Sequence, residues 1–133
     1  MDFIADTTVL VGLWRRQEWA LRFAQAHAGS VLGLPWVVLG EFWHGARRAG
    51  HDPDLVSRFL ELGLPILDAG PVVPVYAGLC AVLQDQPAYR EMGQNDLWIA
   101  AVGMQCRLPV LTRNRRHFGA VPDLECVALN DGS

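Results

Sequence analysis

The chain has no lysine; all 11 of its basic residues are arginine. That excludes a Walker-type phosphate loop, the lysine-dependent phosphoacceptor site of a receiver domain, and Schiff-base chemistry. Cysteine is scarce too. Cys80, Cys106 and Cys126 are widely spaced with no C-x-x-C pair, so they read as reduced, small apolar residues of a cytosolic protein and not as a zinc or dithiol site. No G-x-G-x-x-G occurs, which argues against dinucleotide binding. The N-terminus, MDFIADTT, lacks a basic segment followed by an apolar core, so no signal peptide is expected. The longest apolar stretch, residues 31–40, is short and broken by Pro35, so no membrane span is expected. The formal net charge is -3. Any attraction for nucleic acid must therefore come from local patches.

What is present is apolar patterning. With 51% hydrophobic residues over 133 positions, the chain reads as one domain, 1–133, long enough to bury a core. Residues 3–5 form a short buried strand ending at Asp6, and Thr7 or Thr8 caps a helix carrying Leu10, Leu13 and Trp14. A second helix spans 18–27 and closes at Gly29; a strand follows at 31–34, then a helix from Pro35 to about 49. Asp52 caps a helix starting at Pro53 and running to about 62, a third strand covers 64–67, and a helix covers 71–84. Residues 87–93 read as a polar loop. Gln94 or Asn95 then caps a helix to about 106, apolar on nearly every side and therefore central. Residues 109–111 and 125–129 supply the last strands. Short apolar strands alternating with helices predict an α/β fold with a mostly parallel sheet of four or five strands. Ligands of such folds bind beyond the carboxyl ends of the strands.

Three acids stand at element junctions within apolar surroundings: Asp6 in FIADTTVL, Glu41 in VLGEFWHG and Asp96 in GQNDLWIAA. An unpaired buried carboxylate is costly. Singly, each has an ordinary explanation: Asp6 as a helix cap, Asp96 as a helix-dipole partner, Glu41 in a surface stripe with His44 and Arg48. Together they form a candidate carboxylate cluster. Two like charges about 4 Å apart cost about 4 kcal/mol at an effective dielectric of 20, which a bound cation relieves. An all-oxygen ligand set suits Mg²⁺ or Mn²⁺ better than zinc. Such an ion polarises a phosphoryl oxygen and activates water.

The densest basic run, Arg113, Arg115, Arg116 and His117, follows the fourth strand and is a candidate for phosphate contacts. Arg47 and Arg48 are a second pair. Trp14, Trp36, Trp43 and Trp98 are candidates for base stacking or for core packing. Glu41-x-x-His44 has the spacing of a carboxylate-bridged redox metal site, but that chemistry needs a second Glu-x-x-His, and none exists.

The motifs ADTTVLVGL, VLGEFWHGARR, QNDLWIAA and LPVLTRNRRHF, in that order and spacing, resemble the PIN-domain family, and more closely the VapC-type toxin ribonucleases of bacterial toxin–antitoxin pairs. The resemblance covers essentially the whole chain. It implies a PIN-like three-layer α/β/α fold and a cytoplasmic Mg²⁺-dependent endoribonuclease, with Mn²⁺ as a possible substitute. Its partners would be an RNA substrate, a cognate VapB-like antitoxin whose tail occupies the acidic site, and a second copy of the chain. Asp6, Glu41 and Asp96 match the family's regular acids as metal and catalytic residues. Thr8 and Thr112 match its small polar positions beside the substrate. The fourth acidic position differs, since Asn114 and His117 stand where a carboxylate is common. Either Asn114 serves as a neutral catalytic ligand holding a water, or the second-metal site is weakened. The alternative function is a catalytically weak PIN module that binds RNA or protein. The helix pair containing Trp14 and Trp19 is a candidate surface for an antitoxin.

Overall fold

The computed structural model describes residues 1–129; the end of the expected domain, 130–133, lies outside the described residues. Its elements are β1 (Phe3–Ala5), α1 (Thr7–Trp14), α2 (Glu18–Ala26), β2 (Leu32–Pro35), α3 (Trp36–Ala49), α4 (Pro53–Leu60), β3 (Gly63–Ile66), α5 (Val72–Leu83), α6 (Pro87–Cys106), β4 (Val110–Thr112), α7 (Arg115–Phe118) and β5 (Cys126–Ala128). The five strands lie in the order β3-β2-β1-β4-β5, and every pairing is parallel. Parallel neighbours require crossover helices. The chain runs outward from β1 to β3, then returns past β1 to β4 and β5; the right-handed rule for such crossovers implies helices on both faces of the sheet.

The order places β1 and β4 side by side at the point where the chain reverses its direction of travel across the sheet. Ile4, Ala5, Val110 and Leu111 are fully buried there. Each large apolar side chain so buried stabilises the fold by about 1.5–3 kcal/mol. The register pairs Ile4 with Val110 and Ala5 with Leu111. One step further along both strands come Asp6 and Thr112. The best-packed part of the sheet therefore sets what stands at its carboxyl edge.

Three local expectations are corrected, the first being that Gln94 or Asn95 caps the central helix: both lie inside α6, whose N-cap is Gln86. Residues 87–93 are not a loop: Pro87 opens α6 at its first turn, Met92 is buried, and Ala88 and Tyr89 are half-buried. Arg90 and Glu91 merely paint the solvent face, which is why the stretch reads as polar. Gly93, at φ 74° and ψ 165°, interrupts the helix between this segment and the buried one carrying Leu97, Ile99 and Ala100. The cap of α1 is Asp6 itself, whose side chain accepts from the Val9 N–H, and not Thr7 or Thr8. Both threonine hydroxyls are turned to acids instead.

Candidate active site

Asp6 leaves β1 in extended conformation and is 4% exposed. Its backbone N–H donates to the Leu111 carbonyl at 3.0 Å, continuing the strand pairing. Its Oδ2 accepts from the Thr112 hydroxyl at 2.5 Å. Its Oδ1 accepts from the Thr8 hydroxyl at 2.5 Å and from the Val9 N–H at 3.3 Å. Burial raises the Asp6 carboxyl above its usual range, and the nearby Asp96 charge adds to that, although all three donors pull the other way. Thr112 belongs to β4 itself, one residue beyond the expected strand, and is fully buried. Its oxygen in turn accepts from the Asn114 N–H at 2.8 Å.

Glu41 sits in the second turn of α3, where its Oε1 accepts from the Thr7 hydroxyl at 2.6 Å. Asp96 follows the break at Gly93, and its Oδ2 meets His117 Nδ1 at 2.6 Å. Burial raises the Asp96 carboxyl; the hydrogen bond and charge of His117 oppose this, and the Glu41 charge reinforces it. Asp6 thus feels Asp96, and Asp96 feels Glu41, which links the three acids pairwise through Asp96.

Asn114 Nδ2 also lies 3.2 Å from His117 Nδ1. One ring nitrogen cannot donate to a carboxylate and accept from an amide at once. The carboxylate contact is much the shorter, so Nδ1 carries the proton and the Asn114 amide is satisfied with its oxygen toward the ring. Of the two residues at the fourth acidic position, His117 therefore engages Asp96 directly and Asn114 contacts His117.

The basic run divides. Arg115 and Arg116 are exposed on α7, Arg116 with a 3.7 Å surface pair to Glu91. Arg113 is half-buried: its guanidinium lies 4.3 Å from the centre of the Trp19 ring and donates to the Leu129 carbonyl at 3.2 Å. Its backbone N–H donates to the Thr8 hydroxyl at 3.0 Å. Sequence reasoning named Thr7 only as a candidate helix cap and Trp19 only as candidate antitoxin surface, and neither as part of this site. Thr7 adjoins Asp6, so its role was within reach; nothing in the sequence links Trp19 to Arg113. The other tryptophans pack inward or on one another. Trp14 meets Phe42 and Phe59 edge-on, and Trp98 stacks on Tyr76 at 3.7 Å. Cys106 and Cys126 are free thiols pushed up by burial, as expected of apolar fillers.

Among the described residues, no three His, Cys, Asp or Glu side chains close into a ready-made metal cage. The donor chemistry nonetheless fits a hard divalent ion that keeps several of its waters. The donors are carboxylate oxygens, one of them on a buried acid that resists ionisation while no cation is near.

Fold and site together define an α/β protein with carboxylates gathered at the topological switch point of a parallel sheet. A PIN-domain model matches residues 3–124, and the chain belongs to the PIN-domain family. No curated protein matches it. Among solved structures, VapBC2 from Rickettsia felis bound to a DNA fragment from their promoter is 18% identical with a TM-score of 0.80, covering 98% of this chain and 100% of that one. VapBC-1 from nontypeable Haemophilus influenzae is 21% identical at a TM-score of 0.78, covering 96% and 98%. A toxin–antitoxin complex from Klebsiella pneumoniae is 18% identical at a TM-score of 0.76, covering 96% and 97%. At these identities the likeness is one of fold.

Proposed function

We propose that this chain is a divalent-metal-dependent endoribonuclease acting as the toxin of a VapBC-like pair. The observation that carries the reading is Asp6: a buried acid at the switch point, held by Thr8 and Thr112 and within electrostatic reach of Asp96. Asp6 and Asp96 would hold Mg²⁺, or Mn²⁺ in its place, with Glu41 beside them. When bound, the ion supplies charge neutralisation at the phosphoryl group and activation of a water. Thr112 and Thr8 orient the two oxygens of Asp6. The proton on His117 Nδ1 fixes Asp96 Oδ2. Arg115 and Arg116 stand exposed beside the site to meet RNA phosphates.

The partner reading rests on the solved complexes and on a groove of about 130 Å³ lined by Val11, Trp14, Glu41, Phe42 and Ala46, which leads to Glu41. An antitoxin tail lying there would reach the acids. The same reading extends to pairing with a second copy and to a cytoplasmic location; among the described residues no helix is long and apolar enough to cross a membrane. A second reading, a binding module with little turnover, draws on one observation: His117 already engages the Asp96 oxygen. Cleavage of structured RNA with and without Mg²⁺ separates them. The nuclease reading expects metal-dependent cuts that fall at least 100-fold, about 2.7 kcal/mol of transition-state stabilisation, in Asp6→Asn and Asp96→Asn. Equal behaviour of wild type and both variants rejects it.

A further inference from the structure

Residues 69–84 contain no charged side chain. They include all of α5, an outer helix that packs chiefly on α6. Its inner side buries Val72, Leu79 and Leu83. Its outer side exposes Val73, Pro74, Ala77, Gly78, Ala81 and Val82, the two valines by 49% and 58%. A surface helix normally turns a polar face to water, and one that is apolar all round is buried. Helix α1 shows the normal case: it too lacks charge, but of its residues only Thr8 is exposed. On α5 the apolar face is left open, which marks a surface that a partner covers.

We propose that α5 is where the chain pairs with a second copy of itself, outer face on outer face. The proposal rests on the pairing named in the reading above and assigns it a surface. Charge favours a copy over a foreign partner. The face offers nothing for an oppositely charged protein to meet, and two chains of formal net charge -3 repel least across an uncharged surface. Shape favours it as well. Val73, Ala77 and Ala81 form one i, i+4 row and Pro74, Gly78 and Val82 the next, the ridges that interdigitate when two helices cross at about -50°. Small residues hold the middle and a valine stands at either end. A two-fold axis through the middle therefore sets small on small, the self-match that a symmetric contact demands. A methyl added at Gly78 would only bring it level with Ala77 and Ala81. A stable pair needs roughly 800 Å² per partner, about a tenth of a small protein's surface; this chain exposes 7561 Å² in all. Helix α5, about 18 Å long, supplies part of that. Leu64 and Leu67, 52% and 68% exposed in the segment that leads into it, extend the apolar surface toward β3.

The test is sedimentation velocity of the full chain alone at about 50 µM, above the micromolar limit for a contact of standard size. Wild type should run as a dimer, and Val82→Glu and Ala77→Glu as monomers. Leu55→Glu, at a comparably exposed leucine on α4, should remain a dimer. Val82 and Ala77 are exposed in the single chain, so each glutamate is solvated there and the circular dichroism spectrum should match wild type. Helices crossing at small residues also bring their backbones within disulfide reach. Mild oxidation of Ala77→Cys should therefore give a covalent dimer that wild type, with three half-buried thiols, does not form. A monomeric wild type, or glutamate variants that stay dimeric, overturns the α5 contact. The second result leaves pairing intact at some other surface. A monomer that still cuts RNA with Mg²⁺ sinks the pairing and leaves the nuclease reading standing. A monomer that floats with lipid vesicles, and ceases to in Val82→Glu, gives the face to a membrane surface and overturns the proposal too.

Discussion

Asp6 carries two loads that pull in opposite directions. As a cap and strand-end hydrogen-bond acceptor it holds β1, α1 and β4 together. As a buried carboxylate it resists ionisation, with a folded-state pKa above 3.8. The folded chain therefore binds this proton more tightly than the unfolded chain. The stabilisation from the protonated form is complete below the unfolded value and is lost as pH rises through the folded one. Asparagine keeps the shape and a hydrogen-bonding role, because the two threonine hydroxyls can donate to its oxygen or accept from its NH₂. Asp6→Asn in EDTA should thus melt higher than wild type at neutral pH, and the gap should shrink toward about pH 4. Thermal unfolding of both proteins across that range measures it directly. A gap independent of pH would show that burial of this charge is not what strains the site.

Among the elements, the break in α6 has the most consequence, since it sets where Asp96 points. Gly93 lies at φ 74°, and a Cβ added there would meet nothing within 4 Å. Any cost of Gly93→Ala is therefore backbone strain, about 1–3 kcal/mol. Gly78 in α5 also has open space around it, but without a positive φ. Gly78→Ala should stabilise by about 0.5–1 kcal/mol. Urea unfolding of the pair should move the midpoints in opposite directions; two shifts of the same sign would refute the strain account. The sequence made most elements legible because their apolar runs are short and bounded by proline, glycine or a cap. It did not make residues 87–93 legible, because only Ala88, Tyr89 and Met92 face inward and the rest resembles a loop. Asp6, Glu41 and Asp96 were legible as acids out of place among apolar neighbours. The contacts from His117 to Asp96 and from Arg113 to Trp19 were not, since each joins residues brought together only by tertiary packing. His117 and Arg113 therefore read as part of one basic run, whereas one braces an acid and the other clamps α2 to the end of β4.

For the whole molecule, the question is whether its response to cations is local or general. The chain is acidic, with a formal net charge of -3 and a pI near 5.7. Any salt will relieve some self-repulsion, by screening that scales with ionic strength. A site-bound ion acts differently, through mass action on the folded state alone. At 100 times its dissociation constant it adds about 2.7 kcal/mol, which for a domain of this size raises the midpoint by roughly 5–20 °C. Mn²⁺ or Mg²⁺ titrated at constant ionic strength should therefore raise the midpoint of wild type to a saturating limit. Sodium chloride at matched ionic strength should not. Asp6→Asn and Asp96→Asn should lose the saturable part and keep the screening part, which separates ligation from charge relief in one experiment. If all three proteins respond alike to Mn²⁺, the ion binds elsewhere, and the cluster of acids at the switch point must be explained without it.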